Sequence, residues 1–238
     1  TNDGYSRGDA ELSVTQLLKP MRAVILEKQY EEEITEDVSD RFWALFGRAT
    51  HTILEHGNKD SNILTERRLY MEVDGIRLSG GMDSYEISSG KLIDWKTASV
   101  YKAKEEDYAD WEQQLNCYAE LLRVNGHKIT SISAFAIFKD HRSWEVLNKR
   151  TGRPMFENYP KSPFLEIPLT LWDSEKTMKF IRDRVQEYKK AKEQITPCSD
   201  EERWADKPGA SATKRCGYCR VREFCSQYKE LTTKKEIA

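Results

Sequence analysis

The sequence predicts a mixed α/β fold, of the α+β kind, with a mainly antiparallel sheet flanked by helices. Three observations predict it. Between Glu66 and Thr97, strand-forming residues alternate around two turn signals, Asp74-Gly75 and Ser88–Gly90. Two amphipathic helical stretches, about 41–55 and 104–124, bracket those strands. Beyond them come an apolar strand at 129–139, a shorter one at 163–171 and a long helical stretch at 174–194.

Taken in order, residues 1–12 are polar and read as loose. Ser13 caps a short helix through Leu18 that breaks near Pro20, and residues 21–30 read as a second helix. An acidic connector leads into the helix at 41–55, whose Phe42, Leu45, Phe46, Ala49 and Ile53 form an apolar stripe expected to face the core. His51 sits beside that stripe, with Gly47 and Glu55 one turn before and after it. Three strands follow, 66–73, 76–83 and 91–97. In the middle strand Gly81 lies two residues before Asp83, which leaves room for a substrate backbone or marks a bulge. In the helix at 104–124, Leu115, Tyr118, Leu121 and Leu122 form the apolar face and Gln114 lies one turn before Tyr118. Residues 141–163 read as a loop-rich excursion. Met178, Ile181, Val185 and Tyr188 turn inward on the long helix, and the last ten residues read as a frayed charged tail.

The chain has 238 residues, long enough for one sizeable core with a small appended module. With Lys+Arg 38 and Asp+Glu 40 the net charge is −2, which excludes a uniformly basic nucleic-acid coat; contact with DNA has to come from a local patch or from metal. No run is apolar enough to span a membrane and none reads as a secretion signal, so the expected setting is cytoplasmic.

Gly80 to Thr97 carries the chemistry. Asp94 and Lys96 are two apart on one strand and share a face, and Asp83 ends the strand before. Two carboxylates beside an ammonium can hold a divalent cation next to a positive charge. A cross-strand ion-pair ladder would look the same. What distinguishes the two is the company: Gly47-Arg-Ala-Thr-His51 before, Gly81-Met-Asp83 and Asp94-Trp-Lys96 within, Gln114-Leu-Asn-Cys-Tyr118 after.

These four motifs, in this order and each on the expected kind of element, resemble the RecB-type branch of the PD-(D/E)xK nuclease superfamily. The resemblance spans roughly Ser13 to Tyr228; Met82 stands where many members have Pro. It implies a restriction-endonuclease-like core and a metal-dependent deoxyribonuclease, similar to phage and CRISPR-associated exonucleases. It implies Mg²⁺ or Mn²⁺ held by His51, Asp83, Asp94 and the carbonyl of Trp95 or Ile93. Asp83, Asp94, Lys96, Gln114 and Tyr118 are the implied catalytic set. Hard cations take carboxylate oxygens, and an imidazole shifts preference toward Mn²⁺. Lys96, charged by default, would orient the attacking water, with Gln114 and Tyr118 positioning it. Glu66 and Glu55 are lower-ranked supports of the metal shell.

Four of the five cysteines lie at or beyond Cys198, and Cys216, Cys219 and Cys225 form C-x2-C-x5-C. With no secretion signal, this clustering favours a metal or cluster over disulfides. Four thiolates suit a [4Fe–4S] cluster or a structural Zn²⁺. Several RecB-type nucleases end in a similar triplet that binds [4Fe–4S], with the remaining cysteine upstream of the core. Here Cys198 has to take that place, or the site has a non-cysteine ligand. Arg215, Arg220 and Arg222 interleave with Tyr218 and Phe224, a basic, aromatic knuckle able to touch a DNA backbone. The expected organisation is a nuclease core over 13–195 and a cysteine module over 196–228 packed on it.

The expected function is hydrolysis of phosphodiester bonds at DNA ends, linear duplex or single-stranded, in recombination, repair, phage or CRISPR-like DNA processing. The gene would be bacterial or phage-encoded, and a protein partner or homo-oligomer would compensate for the weak overall charge. The alternatives are an idle DNA-end-binding subunit that works through its cysteine module, and a redox-sensing metalloprotein.

Overall fold

The computed structural model describes residues 9–35, 38–57 and 60–236. Its centre is a six-stranded mixed sheet. Strand β1 (Leu12–Ser13) leads directly into α1 (Val14–Leu17), which Ser13 caps. The Ser13 hydroxyl accepts from the Gln16 N–H at 3.3 Å, and the Gln16 side chain accepts from the Ser13 N–H at 3.1 Å, a reciprocal capping box. Residues 11–12 are therefore not loose. Leu12 is fully buried and pairs in parallel with Leu78. A two-residue strand has no sequence signature of its own; its partner makes it.

Helix α2 (Met21–Gln29) follows Pro20, and α3 spans Val38–Gly57. The strands β2 (Ile63–Val73), β3 (Ile76–Glu86) and β4 (Lys91–Ala98) form the expected meander, all antiparallel. Asp74 and Gly75 turn the first hairpin with φ of 50° and 76°, both left-handed, as a type I′ turn requires. The helix expected at 104–124 is two helices, α4 (Val100–Glu105) and α5 (Ala109–Val124), broken at Glu106 with φ 49°. Strand β5 (Ser131–Phe138) runs parallel to β4 and sits between it and β6 (Phe164–Leu169). Between β5 and β6 lies the excursion with its single short helix α6 (Ser143–Val146). Helix α7 (Ser174–Glu193), capped by Asp173, closes the core.

The main cluster joins Leu12, Val14 and Leu17 to Leu78, Met82 and Leu92 of the sheet, and to Leu115, Leu121, Ile181 and Val185 of α5 and α7. Burying each such side chain contributes about 1.5–3 kcal/mol. A second cluster gathers Val100, Trp111, Ala134, Ala136, Phe138 and Ile167. The C-terminal segment docks on α2: Val221 is buried against Ala23 and Leu26, and the Phe224 ring stacks on Tyr30 at 4.4 Å. The charged tail forms a helix, α8 (Ser226–Glu236), rather than fraying.

One expectation fails outright. The apolar stripe of α3 does not enter the core: Phe42, Leu45 and Ile53 are 57%, 51% and 71% exposed. A period of 3.6 shows that a helix has an apolar face, and says nothing of what covers it.

Candidate active site

The topology opens a gap at the right place. Strand β2 pairs with β3 from Ile63↔Glu86 to Val73↔Ile76, with a gap at Glu66 and Asp83. The other edge of β3 is shared: β1 takes Leu78 and Ser79, and β4 takes Ser84 to Glu86. Gly80 to Asp83 lie between, where β3 and β4 part. Asp83 bridges the split, its Oδ2 accepting the Trp95 N–H at 2.7 Å.

Gly80 rather than Gly81 is the close-packed glycine. A Cβ at Gly80 would stand 2.5 Å from Leu121 Cδ1 and 2.9 Å from the Tyr118 ring, so α5 lies directly on this residue. At Gly81 the nearest atom would be Arg68 Nη2, at an ordinary 3.7 Å. Register is continuous through both positions, so there is no bulge of β3 against β2 here. The space expected beside Asp83 is bordered by the Arg68 guanidinium.

Seating α5 on Gly80 places Gln114 and Tyr118 beside β4. The Lys96 Nζ donates to Gln114 Oε1 at 2.7 Å, and Gln114 Nε2 donates to the Tyr118 hydroxyl at 2.8 Å. Lys96 Nζ also lies 2.6 Å from Asp94 Oδ2, an ion pair off the hydrogen-bond line, so that this buried oxygen has no hydrogen-bond donor. Asp94 is 3% exposed. Burial pushes its carboxyl up, and the charge of Lys96 opposes the shift.

Helix α3 brings His51 from the other side. Gly47 permits the approach: a Cβ there would be 3.3 Å from Thr97 Oγ1 of β4. One turn later His51 Nε2 is 2.9 Å from the Trp95 carbonyl oxygen, and its ring meets the Trp95 indole edge-on at 5.6 Å. Nδ1 lies 3.4 Å from Asp83 Oδ1 and 3.7 Å from Glu66 Oε1. Burial alone would lower the imidazole pKa, but the contacts with Asp83 and Glu66, with the field of Asp94, raise it to about 10.

Glu66 owes its place to register and to strain. Its neighbours pair as Thr65↔Ser84 and Arg67↔Met82, which sets it across from Asp83, and its φ is 47°, left-handed for a non-glycine. His51, Glu66 and Asp83 form a group whose ligand atoms all lie within 4.8 Å of one another. These three donors, two carboxylates and one imidazole, fit a divalent cation of the Mg²⁺ or Mn²⁺ kind, and Asp94, paired with Lys96, lies outside the group. Glu55 lies on α3, but its side chain is outside the described residues.

The four C-terminal cysteines also converge. Cys198, Cys216, Cys219 and Cys225 border one small cavity of about 30 Å³, beside Arg22 of α2. Arg22 Nε donates to Cys225 Sγ at 3.2 Å. Gln227 of α8 holds Cys198 by two 2.8 Å bonds, one to its N–H and one from its own amide to the Cys198 carbonyl. Two 3₁₀ turns, Arg215–Tyr218 and Arg222–Phe224, present the remaining thiols. Burial raises the thiols of Cys198, to about 12, and of Cys216 and Cys219. Among the described residues no helix is long and apolar enough to cross a membrane.

No curated protein matches the sequence. Among solved structures, the protein SSO0001 is similar with a TM-score of 0.58 and 18% identity, over 93% of this chain and 89% of that one, which shows a shared fold. A phage-related exonuclease from Haemophilus somnus 129PT aligns at a TM-score of 0.37 and 12% identity, over 81% of this chain and 76% of that one. The model of the PD-(D/E)XK nuclease superfamily matches residues 5–226. That match takes in both strands that part at Asp83, the helices that close on them and the cysteine segment, and the chain belongs to the PD-(D/E)XK nuclease superfamily.

Proposed function

We propose that the protein is a Mg²⁺- or Mn²⁺-dependent deoxyribonuclease that hydrolyses phosphodiester bonds at DNA ends. The observation that carries this reading is the convergence of Asp83, Asp94, Lys96 and His51 where β3 and β4 separate. Asp83, Asp94, His51 and the Trp95 carbonyl would hold the cation, with Glu66 beside His51. When bound, the cation lowers the pKa of a water and offsets charge on phosphoryl oxygens. Lys96 has three N–H donors. One goes to Gln114, and the ammonium pairs with Asp94 as an ion, so N–H groups remain for a phosphoryl oxygen or the attacking water. Tyr118 fixes Gln114, and Gln114 fixes Lys96. The preference for ends, and a cytoplasmic role in recombination, repair or phage DNA processing, rest on the resemblance to RecB-type nucleases.

We infer further that residues 196–228 form a metal-holding module on a core of 13–195. All four cysteines border one cavity of about 30 Å³. The resemblance to RecB-type nucleases that end in a similar cysteine triplet favours a [4Fe–4S] cluster over zinc. In either case the module fastens the C-terminus to α2.

Purified protein with Mn²⁺ or Mg²⁺, given linear and circular DNA, tests the nuclease reading. Degradation of the linear form alone is expected. Cleavage that persists in Asp94→Ala and Lys96→Ala would overturn the assignment of the site.

A further inference from the structure

A second cleft, of about 280 Å³, lies between the start of α2 and the cysteine segment. Trp204, Tyr218, Arg215 and Arg220 line it together with three of the thiols, Cys198, Cys216 and Cys219. Its two aromatic residues are unusual. Tyr218 is 81% exposed, an aromatic ring held in water on a 3₁₀ turn. Trp204 has φ 57°, a left-handed conformation that bulky residues avoid. The rings stand 6.3 Å apart with planes opened by 51°, so they do not close into a stack. Cations gather on the indole: Arg215 Cζ lies 5.2 Å and Lys207 Nζ 5.8 Å from its centroid.

We propose that this cleft is a stacking site for an unpaired base of single-stranded DNA. Every base offers a flat π face, and an exposed tyrosine over a tryptophan with guanidinium groups beside it is the chemistry such a face takes. Beside the thiols the cleft has room for a single flat base rather than a duplex, whose bases stack on each other. Phosphate attraction is a smaller part of the affinity. Lys19 at the cleft is paired with Glu27, Arg203 with Asp200, and four thiolates around a metal would add negative charge nearby. Binding through stacking therefore predicts only a shallow fall in affinity with added salt. The proposal deepens the nuclease reading: a strand held here would be separated from its complement near the enzyme.

The test measures anisotropy of a short fluorescein-labelled oligothymidylate against the full, metal-loaded protein, with no divalent cation added, so that the strand stays intact. Tyr218→Ala should weaken binding by about fivefold to a hundredfold. Tyr218→Phe, which keeps the ring, should bind like the parent. Trp204→Phe should retain most of the affinity, and a duplex of the same length should be much less affected by Tyr218→Ala. Unchanged oligothymidylate binding in Tyr218→Ala would overturn the proposal, as would equal losses for single strand and duplex. If the parent binds the oligonucleotide but never cleaves DNA, the nuclease reading fails and the cleft stands. If the parent cleaves DNA and Tyr218→Ala binds unchanged, the cleft fails and the nuclease reading stands.

Discussion

The Asp83 carboxylate accepts the backbone N–H of Trp95, the residue between Asp94 and Lys96, at 2.7 Å. An acid on one strand thereby sets the height of the next strand, where the other acid and the lysine sit. Replacing Asp83 by Ala removes a proposed cation ligand and this strand-to-strand tie together. Asp83→Asn keeps an acceptor for the N–H, so it should hold the fold while cleavage falls by about a hundredfold or more. Melting curves and single-turnover cleavage of the two variants separate the roles.

Gly80 sits under the Tyr118 ring and Leu121. Gly80→Ala should push α5 off β3 and destabilise the protein by about 1–3 kcal/mol, as overpacking does. It should also reduce cleavage, because Gln114 and Tyr118 move with the helix. Gly81→Ala, with its nearest atom at 3.7 Å, should fold and melt like the parent. Urea unfolding of the pair is the measurement; equal effects would contradict the packing described.

Glu66 stands on an edge strand yet points at His51. Glu66→Gln keeps size and removes charge. The Glu66 carboxylate faces Nδ1, the ring nitrogen that also faces Asp83, so it is a candidate ligand, and a drop of about 10- to 100-fold in Mn²⁺ binding is expected, read by electron paramagnetic resonance without any DNA. Unaltered binding would leave Glu66 as a surface residue with an awkward backbone.

Asp140 caps α4, accepting from Ser99 Oγ at 2.6 Å and from the Val100 N–H at 2.8 Å. Burial pushes its carboxyl up, but these hydrogen bonds outweigh it and hold the pKa below the usual aspartate value. A depressed folded-state pKa contributes stability that is present above the unfolded value of about 3.9 and lost as pH falls through the folded one. Asp140→Asn should lower the melting temperature at neutral pH and flatten its decline in acid. A mutant curve parallel to the parent's down to low pH would exclude this source.

Cys198→Ser and Cys219→Ser should each reduce bound metal and lower the melting temperature, since both sulfurs border the same cavity and Cys219 packs beside Val221 on α2. Anaerobic purification with iron and zinc analysis reads the outcome. A brown protein rich in iron would support the cluster; stoichiometric zinc would overturn it.

What the sequence made legible was local chemistry. Residues that need a fixed spacing on one element, such as Gln114 with Tyr118 or Asp94 with Lys96, can be read from spacing alone, and the structure brings both pairs together. The type I′ hairpin at Asp74-Gly75 and the caps at Ser13 were legible for the same reason. What depends on a distant partner was not. Leu12 is a strand only because Leu78 accepts it. The choice of Gly80 over Gly81 is made by α5, forty residues downstream in about that measure. The break at Glu106 precedes Asp107 and Tyr108, weaker helix formers but neither Gly nor Pro, so the sequence marks it only faintly. Glu66 gains its place from pairing across β3, which only a register reveals. The apolar face of α3 is the clearest case, a strong period whose Phe42, Leu45 and Ile53 are each more than half exposed.

That last feature bears on how the site is held. With Phe42, Leu45 and Ile53 exposed, the described contacts between α3 and the sheet weigh more in positioning it. On α3 these include the meeting of Gly47 with Thr97 and the reach of His51 to Trp95, Asp83 and Glu66. The imidazole that would help hold the cation is therefore also a fastening of the helix that carries it. Whatever occupies the metal site tightens a segment of backbone as well as a coordination shell, and amide exchange along α3 should slow when the cation binds.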